Sequence, residues 1–136
     1  MEMAKVLGVG GIFSKSSNPR RLSRWYSRYL GMRLESPSAA IFRSETLPRS
    51  GYTVWGPFPE STRYFGPSRK SFMVNLVVDD LDEVLQRVRE GGGRVTGEVK
   101  NYPYGRFGWF LDPERNKVEL WQPPETKPGR HESQKR

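Results

Sequence analysis

Two stretches of this chain, PRRLSRWYSRYL (residues 19–30) and LDEVLQRVREGG (residues 81–92), carry the same apolar rhythm. In the first, Leu22, Trp25, Tyr26, Tyr29 and Leu30 recur at i, i+3, i+4, i+7 and i+8. In the second, Leu81, Val84, Leu85 and Val88 do the same. That spacing gathers apolar side chains on one face of an α-helix. Asn18 and Asp80 stand at N-cap positions, Pro19 suits the first helical turn, and Gly31 and Gly91 suit the stops. Each predicted helix follows one strand-like run, VLGVGGIF or SFMVNLVV. Three more come after each: Arg33–Glu35, AAIFRSE and YTVWGPF in the first half, then RVTGEVKNY, GRFGWFL and KVELWQ in the second. The chain therefore predicts an α+β domain over residues 1–123, built from two tandem βαβββ modules at about 5–63 and 71–123 with a linker at about 64–70. Residues 124–136 lack apolar side chains and are expected to form a disordered basic tail.

The alternation within KVELWQ raises the functional question. Val118 and Leu120 share one face of a strand, so Glu119 and Trp121 share the other. In SFMVNLVV the same argument turns Phe72, Val74, Leu76 and Val78 toward the helices, leaving Met73, Asn75 and Val77 on the opposite face. Trp55 matches Trp121, since YTVWGPFP parallels KVELWQPP, and this aligns Thr53 with Glu119. Aromatic walls with a few convergent polar groups suit a small-molecule pocket. Three roles for Glu119 stay open: an internal partner for a neighbouring strand or for a base such as Arg106, a ligand-binding or proton-transfer group, or a metal ligand. Phe107 and Trp109 alternate with Gly108 and belong either to the pocket wall or to an exposed rim.

The stretches NPRRLSRWYSRYLGM, FMVNLVVDDLDEVLQRVREGG and FGWFLDPERNKVELWQP make residues 5–123 resemble the vicinal oxygen chelate superfamily, whose relatives include glyoxalases, bleomycin-resistance proteins and extradiol dioxygenases. The resemblance implies sheets curled around a cavity that holds the small-molecule site, helices outside, and pairing into homodimers. Metal enzymes of this superfamily draw ligands from the first and last strands of each module. The corresponding positions here are Gly11, Thr53, Met73 and Glu119. Glycine offers no donor, and a hydroxyl and a thioether are weak ligands for hard or borderline ions. No metal and no cofactor are expected. Relatives usually carry glycine in the turn where Arg115 stands, so a left-handed backbone there would strain the arginine.

The expected site is thus Glu119 as the candidate catalytic or ligand-contacting group, with Gly11, Thr53, Trp55, Met73, Asn75, Phe107, Trp109 and Trp121 lining the pocket. The favoured function is binding of a small organic molecule in that cavity without metal. The alternative is a glyoxalase-type lyase or isomerase with Glu119 in proton transfer, either metal-free or assisted by a metal recruited across a dimer interface. A net charge of +8 disfavours a strongly cationic ligand, leaving a neutral or anionic one. The arginines Arg20, Arg24 and Arg28 read as a solvated helix face, and no nucleic-acid-binding motif accompanies them. Cysteine is absent, which excludes thiol chemistry, and the sole histidine, His131, falls in the tail. With no membrane-length apolar run and no export-signal pattern, a cytoplasmic location is expected.

Overall fold

The β-rich second half forms a sheet because its strand runs are continuous, alternate cleanly and are joined by tight turns. The computed structural model describes residues 11–49 and 51–124. In chain order the elements are helix α1 (Pro19–Leu30), short strands β1 (Leu34–Ser36) and β2 (Ala39–Ala40), a single 3-10 turn (Ser44–Thr46), strand β3 (Val74–Val77), helix α2 (Leu81–Glu90), and strands β4 (Arg94–Tyr102), β5 (Gly105–Leu111) and β6 (Lys117–Gln122). The larger sheet has the order β3-β6-β5-β4. β3 runs parallel to β6, and the other pairs are antiparallel.

Residues 74–122 thus realise one complete βαβββ module, and the expected α+β class holds. The first half departs from its expected strands. Its helix forms at the predicted residues, capped by the Asn18 side chain on the Arg21 amide, but AAIFRSE contributes only Ala39–Ala40 to a strand. YTVWGPF and residues 11–13 of VLGVGGIF are irregular. The remainder of that first run, with Gly8 and Gly10, and the expected tail beyond Pro124 lie outside the described residues. The physical reason is pairing: a strand is stable only with a hydrogen-bonded neighbour, and none of the expected module-one strands except β1 and β2 finds one among the described residues.

The core sits between α2 and the sheet. Leu81, Leu85, Val88, Phe110, Val118 and Leu120 form one buried cluster. Full burial of such side chains contributes roughly 1.5–3 kcal/mol each. Helix α1 docks onto this second module. Trp25 Nε1 donates to the Gly91 carbonyl at 2.7 Å, and the Trp25 ring lies 6.0 Å from that of Phe110. The Tyr26 hydroxyl donates to Asp112 Oδ2 at 2.8 Å. Buried Asp112 also accepts the backbone N–H groups of Glu114 and Asn116, closing the DPERN turn. There Arg115 adopts φ 66°, the left-handed conformation expected of a turn that usually carries glycine.

Candidate functional site

Register across the large sheet brings the chemistry together. Asn75 pairs with Glu119 in the parallel β3–β6 ladder, Trp109 pairs with Glu119 across β5–β6, and Thr96 pairs with Trp109 across β4–β5. These residues form one row on the face opposite the core. The next row holds Val77, Trp121, Phe107 and Lys100. Both faces of β6 therefore obey the alternation read from KVELWQ. Val118 and Leu120 enter the core, while Glu119 and Trp121 face away from it.

Glu119 is half-buried and accepts three hydrogen bonds. Asn75 Nδ2 donates to Oε1 at 2.7 Å, Trp109 Nε1 donates to Oε2 at 2.9 Å, and the Tyr64 hydroxyl donates to Oε2 at 2.5 Å. An ionised carboxylate offers about four acceptor positions, so roughly one remains for an incoming donor. Arg106, the basic partner considered from the sequence, instead holds Asp82 and Asn101.

Aromatic rings surround the carboxylate. Phe107 stacks on Trp121 at 6.1 Å with 10° between planes, and Tyr52 approaches Trp121 at 4.9 Å. Tyr102 and Tyr104 stack at 5.2 Å and meet Phe107 edge-on. Trp121 is fixed by donation from Nε1 to the Tyr104 carbonyl at 2.8 Å. Gly105 makes that close approach possible, because a Cβ there would lie 2.4 Å from Nε1.

Tyr64 reaches the site from an irregular segment. Its ring meets Trp109 edge-on at 6.3 Å, Phe58 stacks on it at 5.6 Å, and Lys117 Nζ donates to its carbonyl at 2.7 Å. Burial first, and then the hydrogen bond to Glu119, push its phenol well above the ordinary tyrosine range. Burial lowers the Lys117 ammonium, and the nearby Glu119 charge offsets part of that.

The structure gathers Asn75, Phe107, Trp109, Glu119 and Trp121, and it puts Phe107 and Trp109 on the Glu119 face. It does not bring all the expected residues there. Met73 is half-buried just before β3. Thr53 and Trp55 are exposed in the irregular stretch, Trp55 to 80%, because that stretch finds no pairing strand among the described residues. Gly11 is exposed and outside any strand. Tyr64 was missed because YFGPSRK reads as a linker, although two adjacent aromatics in a linker are a usable signal.

The four superfamily ligand positions fit a metal ion poorly. Only Glu119 brings a strong donor, its oxygens already serve three protein donors, and Thr53 sits in the exposed stretch. Among the described residues, no group of three or more His, Cys, Asp or Glu side chains could hold a metal. An open groove lined by Lys15, Ser17, Lys70 and Arg115, and a second along α1 beside Trp25, lie away from Glu119. No described helix is long and apolar enough to cross a membrane.

The family model of the glyoxalase-like domain matches residues 11–121. Among solved structures, the chain is similar to TnmS3, an antibiotic-binding protein from a Streptomyces species, at 40% identity and TM-score 0.35. That match covers 40% of this chain and 45% of TnmS3, less than half of the latter's length. It is similar to TioX from a Micromonospora species at 18% identity, covering 80% and 93% of the two chains with TM-score 0.48. A member of the glyoxalase/bleomycin resistance protein/dioxygenase superfamily from Sphaerobacter thermophilus is 21% identical, with 88% and 98% covered and TM-score 0.45. No curated protein matches the chain.

Proposed function

The chain belongs to the glyoxalase-like domain family, and from that premise we propose that it binds a planar, neutral or anionic aromatic molecule on the sheet face around Glu119, without metal. The observation that carries this reading is the carboxylate held by Asn75, Trp109 and Tyr64 in the middle of an aromatic surface. Phe107, half-buried and stacked on the buried Trp121 ring, supplies the platform for a flat ring system. Glu119 supplies one oriented acceptor, so the ligand presents a donor there. The net charge of +8 disfavours a strongly cationic ligand at long range.

The lyase or isomerase alternative requires donors aimed at the oxygen where negative charge develops. Asn75 is bonded to Glu119 itself, and the Thr53 hydroxyl lies in the exposed stretch. Binding without turnover is therefore the better reading, with Glu119 as a ligand contact in place of a proton-transfer base.

Titration with 2-naphthol, followed through the indole N–H resonances of Trp109 and Trp121, tests the proposal. Both resonances should shift saturably, and Phe107→Ala should weaken binding about tenfold, or about 1.4 kcal/mol. Indole resonances that stay fixed while the aromatic binds elsewhere would overturn it.

The same reading includes a homodimer. Phe13 is 94% exposed, Val54 72% and Phe42 64%, all in the first half of the chain. Exposed apolar side chains in such number mark a surface that another chain covers. A second copy supplies the pairing that the irregular stretches lack.

A further inference from the structure

We propose that Tyr64 is a built-in occupant of the binding site, and that the natural ligand is a hydroxylated aromatic whose phenolic O–H replaces Tyr64 on Glu119. This inference rests on the binding reading above and adds the ligand's class and a competition for its place. Three observations carry it. First, the Tyr64 hydroxyl donates to Glu119 Oε2, the charge-assisted bond that a phenolic ligand would make with the same carboxylate. Second, its ring sits as a bound aromatic would, edge-on to Trp109 and stacked by Phe58 at 13° between planes. Third, it comes from a segment without regular structure, in contrast to the other two Glu119 partners, Asn75 and Trp109, which are fixed on strands.

A side chain on an irregular segment that donates to a strand-borne carboxylate, with an aromatic neighbour on each side, presents the contacts of a phenolic ligand. Tyr64 keeps 40% of its surface exposed, and a phenolic ring in its place would take over its contacts with Phe58 and Trp109. Lys117 holds the Tyr64 carbonyl, and Lys70 Nζ donates to Asn116 Oδ1 at 2.5 Å further along, so the segment stays tethered to the sheet when the ring swings out. The device sets a threshold for binding. If the ring covers Glu119 for about nine-tenths of the time, apparent affinity falls about tenfold relative to the open site. A ligand without the hydroxyl cannot recover the hydrogen bond that Tyr64 gives up, and it leaves Glu119 short of a donor.

The experiment compares 2-naphthol with 2-methoxynaphthalene on the wild type, Tyr64→Ala and Tyr64→Phe, read by calorimetry and by the Trp109 indole N–H resonance. Tyr64→Ala should bind 2-naphthol at least fivefold more tightly than the wild type, while 2-methoxynaphthalene, which has no donor with which to displace Tyr64 from Glu119 and stays on the Phe107 ring, gains less than twofold. Tyr64→Phe, which keeps the ring and loses the hydroxyl, should fall between. Weaker 2-naphthol binding in Tyr64→Ala would overturn the inference, because Tyr64 would then be part of the pocket wall. Equal gains for the two compounds would also overturn it while leaving aromatic binding on the platform intact. If neither compound moves the Trp109 resonance in any variant, the binding reading falls and this inference falls with it.

Discussion

The two halves of the chain begin from nearly the same pattern and end in different states. Among the described residues, every buried hydrophobic side chain lies between Leu81 and Trp121, and none lies in α1 or the segments that follow it. In the second half, β3 to β6 pair with one another and α2 seals one face. In the first half, α1 forms on its own cap and rhythm but packs on the second module, through Trp25 on Gly91 and Tyr26 on Asp112. A helix satisfies its backbone within itself, whereas a strand depends on a neighbour. A helical pattern therefore forms a helix in either half, and a strand-like run becomes a strand only where a partner edge exists among the described residues.

The largest effect should come from the side chain at the centre of the folded half. Phe110 is fully buried, and Phe110→Ala should cost about 3–5 kcal/mol in urea unfolding. A loss below about 1 kcal/mol would mean that the core is not where the contrast puts it.

The next test probes the join between the halves. Tyr26→Phe removes a donor from buried Asp112 and should cost about 2 kcal/mol. Burial, reinforced by Asp112, raises the Tyr26 phenol above its ordinary value of 10.0. The neutral phenol is thus favoured in the folded state, so its contribution is complete below pH 10 and is lost as pH rises beyond it. Wild-type stability should fall above pH 10, and Tyr26→Phe should flatten that fall. An unchanged alkaline slope would show that Tyr26 does not tie α1 to the DPERN turn.

Smaller still is the strained turn. Arg115→Gly should stabilise the protein by about 1 kcal/mol in thermal or urea unfolding, since glycine accepts φ 66° without a Cβ penalty. A destabilised variant would mean that the arginine side chain contributes more than its backbone costs.

The smallest stability effect sharpens the contrast most. Trp55 is 80% exposed, so Trp55→Ala should change monomer unfolding by no more than about 0.5 kcal/mol. In the homodimer proposed above, the same substitution should lower the mass seen by light scattering at tens of micromolar. Wild-type protein that scatters as a monomer at that concentration would remove the assembly and leave the first half's apolar surface unexplained.

The sequence by itself settled the local structure of this protein. Apolar spacing with Asn18 and Asp80 placed both helices, and period-two alternation placed β4, β5 and β6 and turned Glu119 away from the core. The resemblance located the strained arginine. These features depend on residues close in the chain, where side-chain periodicity and capping act directly. Tertiary structure alone decided which residues gather at Glu119. Asn75 and Trp109 arrive through strand register, which the alternation constrains. Tyr64 arrives from a segment with no period at all, and Thr53 and Trp55 fail to arrive because their stretch has no strand to pair with among the described residues. A strand's hydrogen bonds and a carboxylate's donors come from distant parts of the chain. No local pattern specifies them, so the contents of the site were legible only where register linked one predicted strand to the next.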